Sequence, residues 1–440
     1  MHTDLTKGSI RHTIVRLALP AIVGYFFHTL FNVTDTFFAG LISTQALAAL
    51  SLSSSVFFMI LALGIGMSEA VTALVGNALG KRQIAQARHI ALNALFFALL
   101  LSVALSLIGI LSVPYLVEAL SDPSYTEIAL EYLYLILYGI VFFMGAFFSN
   151  ALLNATGDTS SFRNVLIFTS LLNILLDYLC IYLLGMGVYG IALATILSEA
   201  VVCVYLFLKV RQTRLWVGLG DFRYDGALIV EILKQGLPPS VNMFMIAFGM
   251  YIITYFIAPF GKEAVAGLGL GMRIEQIFLL PIIGISVATL SIISQNNGAS
   301  RYERITPTIR LAIFYGWIIS TVGIFSFFLF ADYFASLLTT DSGVVAQTTL
   351  YLRVCGFASY GFVVIFISIS LLQGLKRPAV VIPVSLYRQV FAPIPVFMVL
   401  AWLQMDIVTF WIGIDVIVFS SALFLWWYSR KTLSTLPLKQ

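Results

Sequence analysis

Two aspartates stand where a carboxylate is expensive. Asp35 and Asp177 lie inside long apolar stretches, and a charged side chain at the centre of a bilayer costs about 2.5–3.5 kcal/mol on insertion scales. Asn173 precedes Asp177 by one helical turn and shares its face. Thr195 falls about two turns into the next apolar run, at a similar depth. Two carboxylates, an amide and a hydroxyl form a set of hard oxygen donors, suited to a proton or to Na⁺. Carboxylates brought together in a low dielectric cannot both stay ionised, so such a pair holds a proton near physiological pH. No basic residue of the first half lies at that depth to neutralise it.

Other charges inside apolar stretches carry less information. Glu69 and Glu199 sit nearer the opposite membrane face, where each lines an inner vestibule, snorkels or pairs. Glu199 follows Thr195 by four residues, on the same face. Glu275 and Arg353 lie near the outer ends of their stretches, and a structural salt bridge is the expectation for them. Arg388 and Asp415 are too isolated in sequence to assign. Pro20 removes a backbone donor fifteen residues before Asp35, so a bend there could couple ion binding to cavity shape. The 36 Phe, 20 Tyr and 6 Trp are mostly lipid-facing or packing residues, with a few left to hold flat cations by cation–π contact.

These residues need a membrane scaffold. Of the 440 residues, 60% are hydrophobic and 10% charged, too few charges to wet a soluble surface. Runs of about 20 apolar residues predict twelve spans, near 14–38, 48–76, 90–113, 127–153, 163–184, 188–208, 237–258, 266–293, 311–331, 348–372, 380–402 and 406–428. Alternate connections then hold 20 of the 24 Lys and Arg, which puts both termini in the cytoplasm. These basic residues are topology signals, so no nucleic-acid partner is expected. The first apolar run is too long for a cleaved signal and lacks a small-residue cleavage site. Cys180, Cys203 and Cys355 lie in apolar runs without metal-ligand spacing. Neither a metal beyond a possible Na⁺ nor a cofactor is expected.

Internal duplication organises the spans. A shift of 218 residues aligns Leu19-Pro20 with Leu237-Pro238. A shift of 220 aligns Gly64 with Gly284, Asn77 with Asn297 and Lys81 with Arg301, and 219 aligns Leu152-Leu153-Asn154 with Leu371-Leu372-Gln373. Six spans per repeat make the halves parallel, related by an axis along the membrane normal. The expected fold is an all-α integral membrane protein of twelve helices in two pseudo-symmetric six-helix lobes. The first lobe takes residues 1–212, a cytoplasmic linker 213–236, and the second lobe 237–440.

The residues resemble the multidrug and toxic compound extrusion (MATE) family over nearly the whole chain. LALPAIVGYFFHTLFNVTDTFFAG resembles its first helix, with the proline and the outer Asp. NILLDYLCIYLLGMGVYGIALATILSEA resembles its fifth and sixth helices, LLNATGDTSSFRNV its loop after span four, and LLQGLKRPAV the second-lobe echo of that loop. The resemblance implies an antiporter that exports amphipathic, often cationic compounds as H⁺ or Na⁺ enters. It places the ion site at Asp35, Asn173, Asp177 and Thr195, and matches Pro20 to a proline proposed to bend span one. Residues 237–258 hold no acidic side chain, which makes the chain similar to the DinF-like branch and weakens the case for a second-lobe ion site. No enzyme activity is expected, because the Gly-x-Gly-Asp signature of an intramembrane aspartyl protease is missing. A lipid-linked saccharide flippase is the nearer alternative, for which Arg273, Arg353 and Arg388 are the only candidate pyrophosphate ligands. The partners expected are small toxic molecules and membrane lipid, for a monomer in a bacterial inner membrane.

Overall fold

A computed structural model describes residues 4–437 except Val217, Leu219 and Asp221; Lys439, which the topology counts, lies outside the described residues. Among the described residues there are helices and no strands. Ten helices are each long and apolar enough to cross a membrane, and two bent helix pairs supply one further span apiece. All twelve predicted spans therefore have a helix.

The first lobe runs α1 (Ile10–Ile42), α2 (Thr44–Gly80), α3 (Ile84–Leu120), the pair α4 (Thr126–Tyr138) and α5 (Ile140–Thr156), α6 (Ser160–Tyr178) and α7 (Gly187–Arg211). The second runs α8 (Gly226–Ile257), α9 (Lys262–Gly298), α10 (Ile305–Ser336), the pair α11 (Ser342–Cys355) and α12 (Ala358–Gly374), the broken span α13 (Val381–Leu386) and α14 (Pro393–Trp402), and α15 (Ile407–Ser434). Helices outrun the apolar cores because polar turns continue them into the interface; α8 begins at Gly226, where Asp225 Oδ1 accepts the Leu228 N–H and caps it.

Duplication is visible in the bends. α4 and α5 meet at 49° across Gly139, and α11 and α12 at 55° beside Gly356, 217 positions further on. Each glycine sits where a Cβ would strike a neighbouring helix, 2.6 Å from Ile196 at Gly139 and 2.9 Å from the Phe327 ring at Gly356. Among the described residues two π-helical turns interrupt the ladder, at Leu179–Leu183, which starts two residues after Asp177, and at Tyr387–Phe391 around Arg388. Such turns occur often at functional sites.

The lobes meet through α1 and α2 on one side and α8 and α9 on the other. The residues that join them lie toward the end carrying the chain termini. Gly66 packs on the Ser240 backbone and Gly298 on that of Asn77, with no room for a side chain. Asn297 Nδ2 donates to Asn77 Oδ1 at 2.6 Å. These two residues are repeat mates, so the pseudo-twofold axis passes between them. Two further amide bonds do the same job: Asn77 Nδ2 donates to the Gly374 carbonyl at 2.9 Å, and Gln295 Nε2 to the Ala155 carbonyl at 2.7 Å. Away from this seam α8 exposes Phe244, Phe248, Met250, Tyr251 and Tyr255. The closed end is thus a polar, amide-built latch between two apolar lobes.

Candidate functional site

Three helices bring the four expected residues together. Asp35 lies two turns before the end of α1, Asn173 and Asp177 in the last turns of α6, and Thr195 two turns into α7. Because α7 runs antiparallel to α1 and α6, these positions share one level. All four are buried. The Thr195 hydroxyl donates to Asp35 Oδ2 at 2.8 Å, and the Asn173 and Asp177 side chains approach the same carboxylate. Asp35 Oδ1, both Asp177 oxygens and both polar atoms of the Asn173 amide have no hydrogen-bond partner among the described residues. A buried carboxylate without a donor or counter-ion is strongly disfavoured. A shared proton, or a cation held by the two carboxylates, the Asn173 carbonyl oxygen and the Thr195 hydroxyl, would satisfy this set.

Tyr132, on α4, completes the cluster and was not singled out by the sequence. It is buried with its phenol beside Thr195 and the two carboxylates. One tyrosine among 20 carries no signal of its own; the clue was its depth, two turns into span four from the same membrane face.

The remaining acidic residues go elsewhere. Glu69 stands at the latch, where Gln373 Nε2 of the other lobe donates to its Oε2 at 2.6 Å, with Tyr25 beside it. Of the alternatives for Glu69, the structure shows pairing. Gln373 aligns with Asn154 in the repeat, so the sequence marked its position without its partner. Glu199 is buried on α7 near Cys203, apart from the carboxylate pair. Pro20 is buried inside an α1 that runs unbroken.

The expected Glu275–Arg353 salt bridge does not form. Arg353 Nη2 binds Asp332 Oδ2 at 2.7 Å on the exposed flank of the second lobe. Glu275 Oε2 accepts the Tyr351 hydroxyl at 2.7 Å, with Asp415 nearby. Depth along two helices suggested the pair, but azimuth decided it: Arg353 lies two residues past Tyr351, on the other side of α11. Asp415, unassignable from sequence, sits one turn beyond Trp411, whose ring packs edge-on to Tyr351 at 5.2 Å. Arg388 is buried on the π turn of span eleven, with one donor bond from Nη2 to Asn242 Oδ1 at 3.1 Å.

A family profile described as MatE matches residues 20–179 and, a second time, residues 238–398. The two matches start 218 residues apart, the offset found within the sequence. The chain is similar to a probable multidrug resistance protein NorM of Thermotoga maritima, 30% identical, across 96% of this chain and 93% of that one. It is similar to an FAD transporter of Shewanella oneidensis, 26% identical over 89% and 88%. Among solved structures, it matches an outward-facing conformation of a multidrug resistance MATE family transporter of the MOP superfamily. That match has a TM-score of 0.94 at 25% identity, covering 99% of this chain and 98% of the other.

Proposed function

The chain belongs to the MATE family, and on that premise we propose that it exports amphipathic, often cationic small molecules from the cell in exchange for H⁺, or for Na⁺ in the alternative. Asp35, Asp177, Asn173 and Thr195 hold the coupling ion, and Tyr132 walls the site. The observation that carries this reading is the set of buried oxygens, one on Asp35 and two on Asp177, that no protein donor satisfies. Substrate export and ion entry are then exclusive occupancies of one lobe. A bend at Pro20 on α1 would link the site to the cleft. Glu69 and Gln373 close the cytoplasmic end through their hydrogen bond, and both termini face the cytoplasm of a bacterial inner membrane. With the lobes joined there, the cleft faces outward.

The energetics suffice. One cation entering down about 100 mV releases roughly 2.3 kcal/mol. At about 1.4 kcal/mol per tenfold step, this supports a roughly fiftyfold gradient of a neutral substrate.

Efflux of ethidium from proteoliposomes, under a pH gradient or a Na⁺ gradient imposed alone, tests the proposal. Efflux driven by either gradient supports it and identifies the ion. Efflux indifferent to both, at the rate of protein-free liposomes, would overturn it.

A further inference from the structure

Arg388 is the opposite of the carboxylate pair. Its side chain is 5% exposed and, among the described residues, no carboxylate pairs with it. Nη2 donates to Asn242 Oδ1, Nε has no partner, and the guanidinium stands 5.8 Å from the centre of the Phe362 ring. Asn242 Oδ1 already takes a second bond, from the Ser385 hydroxyl at 2.8 Å, while its amide N–H₂ donates to no group among the described residues. The unspent groups here, Arg388 Nε and Asn242 Nδ2, are all donors. A buried cation with only neutral neighbours lacks its compensating charge, and a planar fork suits an oxyanion.

Its position is equally specific. The last bond joining α8 to α2 is Ser240 Oγ to the Leu63 carbonyl at 3.1 Å. Asn242 lies two residues beyond, just before the stretch of α8 that exposes Phe244 and Phe248. The Arg388–Asn242 pair therefore sits at the level where the lobes part. The π turn around Arg388 offsets this side chain from the regular helical register.

We infer that Arg388, Asn242 and Phe362 form a second-lobe subsite for a carboxylate carried by an aromatic substrate, so that zwitterionic or acidic amphiphiles are better ligands than plain cations. The ring of Phe362 holds the apolar body while the two donors hold the acid. This inference rests on the export reading above and narrows its substrate class.

The test titrates the purified full-length protein, in lipid-free detergent, with tetramethylrhodamine and with its methyl ester. The two dyes share the cationic ring system and differ in whether the carboxylate is free. The wild type should bind the free acid about tenfold more tightly, the step that about 1.4 kcal/mol provides. Arg388→Gln should erase the preference by weakening the acid alone, and Arg388→Lys should keep part of it. Asn242→Asp places a carboxylate against the guanidinium and should erase the preference too; since it pairs a buried charge, it keeps the question decidable where Arg388→Gln does not fold. A wild type that binds the ester at least as well as the acid overturns the subsite, as do Arg388→Gln and Asn242→Asp proteins that keep the tenfold preference or weaken both dyes equally. Ester binding without acid preference leaves the antiporter reading standing and removes only the subsite. Failure to bind either dye removes the subsite, and the ethidium efflux described above then decides the antiporter reading separately.

Discussion

The two lobes place a tyrosine at the same point of the repeat and surround it with different chemistry. Tyr132 and Tyr351 are 219 residues apart, both buried two turns into a bent span. Around Tyr132 lie two aspartates whose oxygens find no donor beyond Thr195. Around Tyr351 lie Glu275, which accepts the tyrosine's own proton at 2.7 Å, and Asp415 and Trp411 of α15. The first cluster leaves its acids short of partners, which is the condition of a site awaiting an ion. The second ties its principal acid to the scaffold through one oxygen and, among the described residues, leaves two acid oxygens unpartnered, Glu275 Oε1 and Asp415 Oδ1, against three in the first. Duplication thus preserved the frame while the acidic residues settled on different helices: α1 and α6 in one lobe, α9 and α15 in the other. Arg388 deepens the contrast, as the second lobe's buried base has no counterpart near Asp35 among the described residues.

Replacing the first-lobe acids should break the comparison most severely. Asp35→Asn and Asp177→Asn each keep the shape and remove the exchangeable charge, so each should nearly abolish drug resistance at normal protein levels. The double variant should be little worse than either, because both act on one step; additive losses would separate the two acids.

Tyrosine substitution comes next. Tyr351→Phe leaves Glu275 Oε2 without its donor, a loss of about 1–3 kcal/mol that should lower the melting temperature in detergent. Glu275→Gln should likewise reduce the folded amount more than the transport per folded molecule. Tyr132→Phe should do the reverse, slowing efflux with little change in melting. Equal effects from the two phenylalanine variants would erase the distinction between the lobes.

The latch that both lobes share is a smaller lever. Gln373→Ala removes the amide bonded to Glu69 across the seam, worth about 1.5–3 kcal/mol for a charged acceptor and less for a protonated one. Maleimide labelling of a cysteine placed at Ser294, beside Gly76 at the seam, should quicken when the latch weakens. The smallest effect belongs to Arg353→Ala. Its partner Asp332 is 63% exposed, and such surface pairs contribute about 0–1 kcal/mol, so stability and efflux should both stay near wild type. A large loss would restore Arg353 to the interior role that its span position suggested.

What the sequence disclosed follows from which quantities are one-dimensional. Depth in the membrane is one: it placed Asp35, Asp177, Asn173 and Thr195 at one level, and the helical turn between Asn173 and Asp177 put those two on one face. The repeat offset is another, and it aligned Asn77 with Asn297 before their hydrogen bond was visible. Azimuth is not. Glu275 and Arg353 share a depth but face different directions, so the acid went to Tyr351 and the base to Asp332. Tyr132 and Asn242 escaped notice, and Gln373 was marked only by the repeat offset, because a neutral side chain in an apolar run has no cost that demands explanation. Arg388 was conspicuous by its charge, yet its partner lies on α8, 146 residues away, and no local spacing could supply it.

The central claim is that the first-lobe carboxylate pair exchanges the ion that drives export. The most direct test reconstitutes the wild type, Asp35→Asn and Asp177→Asn at equal density and follows ethidium efflux under a pH gradient alone and a Na⁺ gradient alone. Wild-type efflux should respond to one gradient, and both variants should fall to the rate of protein-free liposomes under either. Gradient-driven efflux that persists in both variants would contradict the account and move coupling away from Asp35 and Asp177.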